Sequence, residues 1–120
     1  MTLPITGKIN YRRGDIVWVA FPFSNQLGKK ERPALVLSSD QYNQSQDDLL
    51  LVQISSHIRR APDIGECEVV DWRLAGLDGP SAVRPKLFTV ESSLVIRAAG
   101  HITDSDMQRV EAALRVVTQL

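Results

Sequence analysis

Residues 14–21 have the sequence GDIVWVAF, a partly alternating run rich in β-branched and aromatic side chains. This pattern predicts a β-strand, which ends at Pro22 because proline cannot donate to a sheet ladder. Two apolar runs follow, PALVLS at residues 33–38 and LLLVQI at residues 49–54, and both predict buried strands, the first beginning at Pro33. The polar, glycine-containing residues 24–31 predict an exposed loop between strands. The first half of the chain is therefore predicted to be mostly sheet.

The second half of the chain contains weaker strand signals. Residues 64–70 and 82–90 predict two further strands, and Pro85 inside the second predicts an edge position or a bulge. Residues 94–98 are compatible with either a short strand or a helical turn. Residues 40–43 are compatible with one helical turn capped by Asp40.

The clearest element is an amphipathic helix predicted over residues 104–118. Thr103, just before the helix, and Asp106, in its first turn, resemble a capping box in which Asp replaces the usual Glu. The predicted core face of the helix consists of apolar side chains at helical spacing: Met107, Val110, Ala113, Leu114 and Val117. Five or six short strands with one terminal helix predict a mainly β protein with a strongly bent antiparallel sheet of the small-barrel kind.

Length and composition predict one domain. Residues 11–120 are predicted to form it, and residues 1–10 to be a flexible tail. The single cysteine, Cys67, cannot form an internal disulfide and is predicted to be a small apolar side chain in a strand. No run of residues approaches the roughly 20 apolar residues of a membrane span, and the N-terminus lacks a signal-peptide core. These features predict a cytoplasmic protein without membrane contact.

The charge balance constrains the binding partners. Lysine plus arginine and aspartate plus glutamate both number 14, which gives a formal net charge of zero. Dedicated nucleic-acid binders are usually basic, so any RNA contact must come from a local patch. Two basic segments are candidates for such a patch: Lys29, Lys30 and Arg32 in one, Arg59 and Arg60 in the other.

Several blocks of the chain resemble the MazF/PemK growth-inhibitor family, in the same order and with similar spacing over residues 13–118. They are RGDIVWV at 13–19, RPALVLS at 32–38, ISS at 54–56, AGL at 75–77 with PSAVR at 80–84, and GHIT at 100–103 followed by the helix. The third block is similar to the family's I-T-S strand end, and the last to its G-x-L-S ending.

The resemblance implies a fold and a function. The implied fold is an SH3-like barrel of the CcdB/MazF/PemK type with a C-terminal helix. The implied function is that of a type II toxin–antitoxin toxin, an mRNA interferase that cleaves single-stranded RNA. Such an enzyme uses no metal or cofactor and leaves a 2′,3′-cyclic phosphate and a 5′-hydroxyl. The implied partners are RNA, a cognate antitoxin and a second copy of the chain in a homodimer.

RNA cleavage without a metal needs groups that stabilise charge on the phosphate and that move protons. Arg32 is the first candidate, because its planar guanidinium matches phosphate oxygens and it aligns with a catalytic arginine of the family. Ser55 is the second, because it ends an apolar strand and matches a family Thr/Ser whose hydroxyl can donate to phosphate.

Two further residues are catalytic candidates. His57 directly follows the serine pair, and histidine is a common proton-transfer group at neutral pH. Arg84 resembles an active-site arginine found in part of the family. Where some of those relatives carry an acid/base aspartate two residues later, this chain has Lys86, which leaves the general base unnamed. Asp15 is available, although a structural turn role is favoured for it. A structural role is also favoured for His101, which lies in the approach to the helix.

A basic rim with neighbouring aromatic side chains is predicted to bind RNA. Trp18 can also stack on a base, but a core or dimer-interface position is favoured for it. The residues of the predicted RNA-binding set are Phe23, Lys29, Lys30, Ser56, Arg59, Arg60 and Lys86.

Two alternative functions remain open from the sequence. One is a CcdB-like toxin that binds gyrase and cleaves no RNA. The other is a degenerate family member that keeps the fold and the antitoxin contact but has lost activity, which the lysine at position 86 keeps open. A metal enzyme is disfavoured, because the sequence contains no clustered set of His, Asp and Glu ligands.

Overall fold

The structure is a computed structural model that describes residues 9–21 and 30–120. Within these residues the chain forms six strands and two α-helices, with a 3₁₀ turn at Ser92–Leu94. The strands are β1 (Asp15–Phe21), β2 (Lys30–Val36), β3 (Asp48–Ser55), β4 (Cys67–Val69), β5 (Ser81–Glu91) and β6 (Arg97–His101). The helices are α1 (Asp40–Ser45) and α2 (Asp104–Thr118). The predicted fold class, mainly β with a C-terminal helix, is confirmed.

All six strands belong to one antiparallel sheet in the order β4-β5-β3-β2-β1-β6. The sheet curls into a half-barrel, and residues 70–77, which follow β4, lie against β6 at the opposite edge. The approach is so close that a Cβ atom on Gly100 would lie 2.2 Å from the carbonyl oxygen of Ala75. A Cβ atom on Gly76 would lie 2.3 Å from the carbonyl oxygen of Ala99. This backbone contact joins the two edges of the sheet.

One face of the sheet forms the larger core with α2. Ile16, Leu35 and Val52 lie directly opposite one another on β1, β2 and β3, and all three are fully buried. Val110 and Leu114 of α2 pack into the same cluster. The alternating register of the strands therefore places the helix over this face.

The opposite face of the sheet carries a second apolar cluster. Val17 lies opposite Ala34 and Val36 lies opposite Leu51, and these side chains are buried together with Tyr11. Burial, and secondarily the nearby Asp15 carboxylate, raise the pKa of Tyr11. Because both faces of the central strands are buried, β2 and β3 are the continuous apolar runs that the sequence analysis recognised.

Four element boundaries differ from the sequence-based predictions. Strand β2 begins at Lys30 rather than at Pro33, and the strand predicted at residues 64–70 covers only Cys67–Val69. The ambiguous residues 94–98 contain the last residue of the 3₁₀ turn, Leu94, and the first two residues of β6. Helix α1 is longer than one turn, and its N-cap is Ser39, whose Oγ accepts a hydrogen bond from Tyr42 N.

Helix α2 has the predicted bounds, but its capping differs in one respect. Thr103 Oγ1 accepts a hydrogen bond from Asp106 N, as a capping box requires. The Asp106 carboxylate instead accepts hydrogen bonds from the backbone N–H groups of Val70 and Asp71, at 3.2 and 2.8 Å, and pairs with Arg109. The acid that was predicted to cap its own helix therefore holds the segment after β4 onto α2.

Two further predictions about side chains have different outcomes. Cys67 is 8% exposed within the larger core, as predicted, and burial raises the pKa of its thiol. Val117 was predicted to lie on the core face of α2, but it is 46% exposed and lies against the turn at Gly65 rather than in the larger core. No helix in the two described ranges is long and apolar enough to cross a membrane. The predicted tail at residues 1–10 lies almost wholly outside those ranges.

Candidate active site

Strand register brings the first two catalytic candidates together. The described pairing of β2 with β3 ends at Ala34 and Gln53, and Arg32 and Ser55 each lie two residues beyond that last pair on their own strand. Side chains two residues apart on a strand share a face, so Arg32 and Ser55 share the face that carries Ala34. On the other side of β2, Arg32 lies opposite Val19 of β1. Arg32 is half-buried and lies within β2, which begins at Lys30 rather than at the predicted Pro33.

Ser55 is fixed by a short turn at the end of β3. Its side chain is buried, and Oγ accepts a hydrogen bond from the backbone N–H of His57 at 3.0 Å. Ser56 and the His57 imidazole are exposed. A serine oxygen that accepts from the backbone keeps its own proton free to donate, which is what a phosphate oxygen requires.

A bulge in β5 lies beside the same part of β3. Val52 pairs with Leu87 and Ile54 pairs with Val83, so two steps along β3 match four along β5. The residues in the bulge are Arg84, Pro85 and Lys86, opposite Gln53. Pro85 has no N–H to donate to β3, so the irregularity predicted from this proline is present as a bulge in an interior strand. The bulge redirects the chain where two predicted site residues occur.

Arg84 is held by contacts at both ends of its guanidinium group. Nη2 donates a hydrogen bond to the backbone oxygen of His57 at 3.1 Å. Nε lies 3.3 Å from Oε2 of Glu66, an ion-pair contact whose angle is too poor for a hydrogen bond. The Arg84 side chain is 17% exposed. Arg84 therefore joins the bulge of β5 to the turn that follows Ser55.

A cleft of about 200 Å³ opens beside the ends of β1, β2 and β3. Three of the predicted site residues line it, namely Lys30, Arg32 and Ser56. Trp18 and the segment at residues 77–81 form much of its wall. The Arg97 guanidinium lies 4.6 Å from the centroid of the Trp18 ring, a cation–π contact that holds the indole in place.

A second groove, of about 350 Å³, lies on the side of β5. It brings together another three of the predicted residues, Arg59, Arg84 and Lys86, with the carboxylates of Asp63 and Glu66. Arg59 pairs with Asp63 at 3.2 Å and with Glu66 at 3.3 Å. The groove thus has three cations and two carboxylates, which leaves a positive balance next to the end of β3.

The remaining predicted residues are placed as follows. Arg60 is exposed and lines neither the cleft nor the groove. Phe23 and Lys29 lie outside the described residues. Within the described part of the chain, no carboxylate pairs with Arg32, whereas Arg59 and Arg84 are both paired. Arg32 therefore differs from the other two arginines in keeping its charge available to a ligand.

Asp15 and His101 form a pair of their own, away from Ser55. The Asp15 Oδ1 atom lies 2.9 Å from His101 Nδ1, and Oδ2 accepts a hydrogen bond from Arg12 N at 2.8 Å. These contacts tie the start of β1 to the end of β6. They fit the structural roles favoured for both residues and use both oxygens of the only carboxylate that the sequence offered as a base.

No group of three His, Cys, Asp or Glu side chains among residues 9–21 and 30–120 is arranged to hold a metal ion. Glu66 is the residue near the site that sequence reasoning missed. It was visible only as one of several acids, and its distance from Arg84 in sequence hides their contact. The proline bulge and the glycine at position 65 were the signals that could have indicated an unusual approach there.

Solved structures share the fold over nearly the whole chain. A toxin from Mycobacterium tuberculosis, MazF-mt6, matches with a TM-score of 0.72 and 20% identity, covering 88% of this chain and 97% of that one. MazE-MazF from Deinococcus radiodurans (Form-II) matches with a TM-score of 0.73 and 21% identity, covering 94% and 99%. An endoribonuclease in complex with its cognate antitoxin, from Mycobacterial species, matches with a TM-score of 0.71 and 14% identity, covering 92% and 95%.

Sequence comparison identifies the family. No curated protein sequence matches the chain significantly. The family model described as PemK-like, MazF-like toxin of type II toxin-antitoxin system matches residues 12–118, which includes every described element of the sheet and both helices. The chain therefore belongs to the PemK-like, MazF-like toxin family of type II toxin–antitoxin systems.

Proposed function

We propose that this protein is the toxin of a type II toxin–antitoxin system and acts in the cytoplasm as a metal-independent endoribonuclease on single-stranded RNA. The observation that carries the proposal is that arginines from the two neighbouring strands flank the end of β3. Arg32 lies two residues beyond the last described pair of β2 and β3, as Ser55 does, and Arg84 donates to the backbone oxygen of His57, two residues beyond Ser55.

The chemistry proposed for this site is transfer of the phosphodiester to the neighbouring ribose oxygen. The 2′-oxygen attacks phosphorus, the bond from phosphorus to the 5′-oxygen breaks, and a 2′,3′-cyclic phosphate forms. The proton leaves the 2′-hydroxyl for a base, and another proton goes to the 5′-oxygen, which departs as a hydroxyl. No metal is needed if fixed donors stabilise the charge on the phosphate.

Each candidate residue has a proposed role in that reaction. Arg32, which pairs with no carboxylate among the described residues, contributes its guanidinium to the phosphate oxygens, and Ser55 donates its hydroxyl proton to one of them. Arg84 holds the turn after β3 and contributes further positive charge. His57 transfers the proton, because its exposed imidazole directly follows the pair Ser55 and Ser56. Lys30, Ser56, Arg59, Arg60 and Lys86, with Phe23 and Lys29, are proposed to bind the RNA strand.

Cleavage of RNA in EDTA, followed by analysis of the new ends, tests the proposed function. The expected products carry a 2′,3′-cyclic phosphate and a 5′-hydroxyl. A requirement for added Mg²⁺, or 5′-phosphate products, would contradict the mechanism. An intact RNA under all conditions would favour the protein-binding or degenerate alternatives.

The proposed partners are a cognate antitoxin and a second copy of the chain. Similar solved structures include an endoribonuclease with its cognate antitoxin and MazE-MazF complexes. An acidic, disordered antitoxin segment would complement the basic residues of the cleft and groove. Sedimentation of the purified protein should show a homodimer, and hydrogen exchange in the antitoxin complex should show protection around Arg59 and Arg60. A 13.4 kDa species alone at micromolar concentration would contradict the dimer.

A further inference from the structure

Glu66 is a nearly buried carboxylate with a positive group on each side. Its side chain is 5% exposed, although glutamate is almost never buried unless it is paired. Arg59 Nε lies 3.3 Å from Oε1, and Arg84 Nε lies 3.3 Å from Oε2. The backbone N–H of Asp63 also donates to Oε1, at 2.8 Å. Each oxygen of Glu66 therefore faces the Nε atom of a different arginine.

The position of Glu66 is set by a tight turn packed against the β5 bulge. Glu66 N donates to the backbone oxygen of Asp63 at 3.0 Å. Gly65 between them has φ of +87°, a conformation that side-chain-bearing residues rarely adopt. A Cβ atom on Gly65 would lie 2.6 Å from Val117 Cγ2 and 3.0 Å from Pro85 Cβ. The turn can therefore approach Pro85 closely enough for Glu66 to reach the neighbouring Arg84.

The contacts continue from Glu66 to the end of β3. Arg84 bonds through Nη2 to the His57 backbone oxygen, and the His57 N–H bonds to Ser55 Oγ. Glu66 thus stands at one end of a connected series of contacts that passes through three of the proposed catalytic residues. Each arginine meets Glu66 through Nε, and Arg59 Nη1 pairs with Asp63. Among the described residues, no carboxylate pairs with the Nη2 atom of Arg59 or the Nη1 atom of Arg84, so these N–H groups remain available to another partner.

We infer that Glu66 is a positioning residue of the site: it fixes Arg84 and Arg59 through their Nε atoms and so aims their remaining N–H groups at the RNA backbone. This inference rests on the proposed function. Glu66 touches neither substrate nor reacting atoms, and it acts through the two arginines. Its negative charge also lowers the positive potential of the groove, so orientation of the arginines is gained at the expense of attraction for RNA.

These two effects of Glu66 predict that removing its charge slows RNA cleavage without weakening RNA binding. Glu66→Gln keeps the size of the side chain but removes the charge and places an N–H₂ group against one arginine. Arg84 should lose its fixed orientation, so single-turnover cleavage at saturating RNA should slow about 10-fold or more. Binding of RNA should stay the same or become tighter, because the groove gains net positive charge. A purely structural residue would instead lower binding, rate and stability together.

Glu68→Gln is the matched control, because Glu68 undergoes the same change of charge two residues away on the exposed face of β4. The rate of cleavage, the thermal melt and the affinity for a fluorescein-labelled 2′-O-methyl RNA of mixed sequence should be measured for both variants. Slow cleavage with undiminished affinity in Glu66→Gln alone supports the inference. Equal rates in the two variants, or parallel losses of binding, rate and stability, would overturn it.

A second measurement tests Glu66 even if the wild-type protein does not cleave RNA, a result that would contradict the proposed function but not the positioning role. NMR relaxation of the arginine Nε–H groups should show restricted motion at Arg59 and Arg84, with the exposed Arg60 as reference. The restriction should disappear in Glu66→Gln and persist in Glu68→Gln. Free motion at both arginines in the wild-type protein would overturn the inference by itself.

Discussion

Arg32 on β2 and Ser55 on β3 each lie two residues beyond Ala34 and Gln53, the last described pair of those strands, and share one face of the sheet. The two residues are separated in sequence by the rest of β2, by α1 and by the rest of β3, and only the antiparallel register brings them to the same end of the two strands. Their shared face also carries a buried apolar cluster, so the polar pair is supported by a rigid surface. The geometry yields predictions for each residue separately.

Arg32→Ala should slow single-turnover RNA cleavage about 100-fold or more. Unlike Arg59 and Arg84, Arg32 pairs with no described carboxylate, so the substitution removes a positive charge that is available to the phosphate. Arg32→Lys should restore little, since a lysine lacks the planar fork. Because Arg32 is half-buried, we expect its loss to cost about 1 kcal/mol of unfolding free energy. Lys30→Ala should instead weaken RNA binding with a smaller effect on the rate at saturation. Cleavage within a few fold of wild type by Arg32→Ala would exclude Arg32 as a catalytic group.

Ser55→Ala and Ser56→Ala should affect different kinetic constants. Ser55 is buried and bonded to His57 N, so losing its hydroxyl should lower the rate at saturating RNA by about 100-fold. Ser56 is exposed and lines the cleft, so its loss should raise the RNA concentration needed for half-maximal rate and leave the maximal rate close to wild type. The comparison requires cleavage measured over a range of RNA concentrations. Equal effects of the two substitutions would contradict the separate roles.

Asp106 should make stability depend on pH in acid. Burial alone would raise the pKa of Asp106, but hydrogen bonds from Arg109 and from the Asp71 and Val70 amides outweigh it and hold that pKa below its ordinary value of 3.8. Because the folded-state pKa is lower than the ordinary pKa, the ionised carboxylate stabilises the fold at any pH above the ordinary pKa. This stabilisation is lost as the pH falls toward and through the folded-state pKa. Asp106→Asn should therefore be less stable than wild type by about 2 kcal/mol at neutral pH. Urea unfolding should show this difference shrinking in acid below the ordinary value, and a constant difference would contradict the assignment.

Gly100→Ala should prevent normal closure of the sheet. The added methyl group would lie 2.2 Å from the Ala75 carbonyl oxygen, which belongs to the backbone and cannot rotate away. We expect a loss of about 3 kcal/mol of unfolding free energy, or roughly 10 °C in Tm. Gly79→Ala is the matched control, because nothing lies within 4 Å of a Cβ atom there. Similar melting temperatures for the two variants would show that the edges of the sheet are not held in this way.

The sequence predicted those parts of the fold whose signals are local. The strand β3 and the helix α2 have continuous apolar or periodic patterns, and both occur where predicted. The strand predicted at residues 64–70 was too long, because Ile64 is 75% exposed and belongs to the turn that carries Glu66. Its apolar side chain gave a strand-like pattern that the glycine turn overrides.

The residues of the candidate site were predicted from their types and from the family resemblance, but the contacts between them were not. The family resemblance indicated Arg32, Ser55 and Arg84 as site residues. The pairing of Arg84 with Glu66, however, depends on a bulge in β5 whose length no local sequence pattern specifies. In the same way, Asp106 has the spacing of a capping residue, and only the folded chain brings the amides of Val70 and Asp71 within its reach. Contacts between segments distant in sequence are set by the tertiary structure.

The position of β1 between β2 and β6 has a consequence for folding of the chain during its synthesis on the ribosome. Among the described strands β1 is the first to be synthesised, and it obtains its second neighbour only when Arg97–His101 has emerged, while the larger core also needs Val110 and Leu114 of α2. Protease digestion of stalled nascent chains should show protection of β1 only after those segments leave the exit tunnel. Until then the nascent chain exposes a strand edge that can pair with other polypeptides, and a chain truncated before α2 lacks the part of the core that the helix supplies.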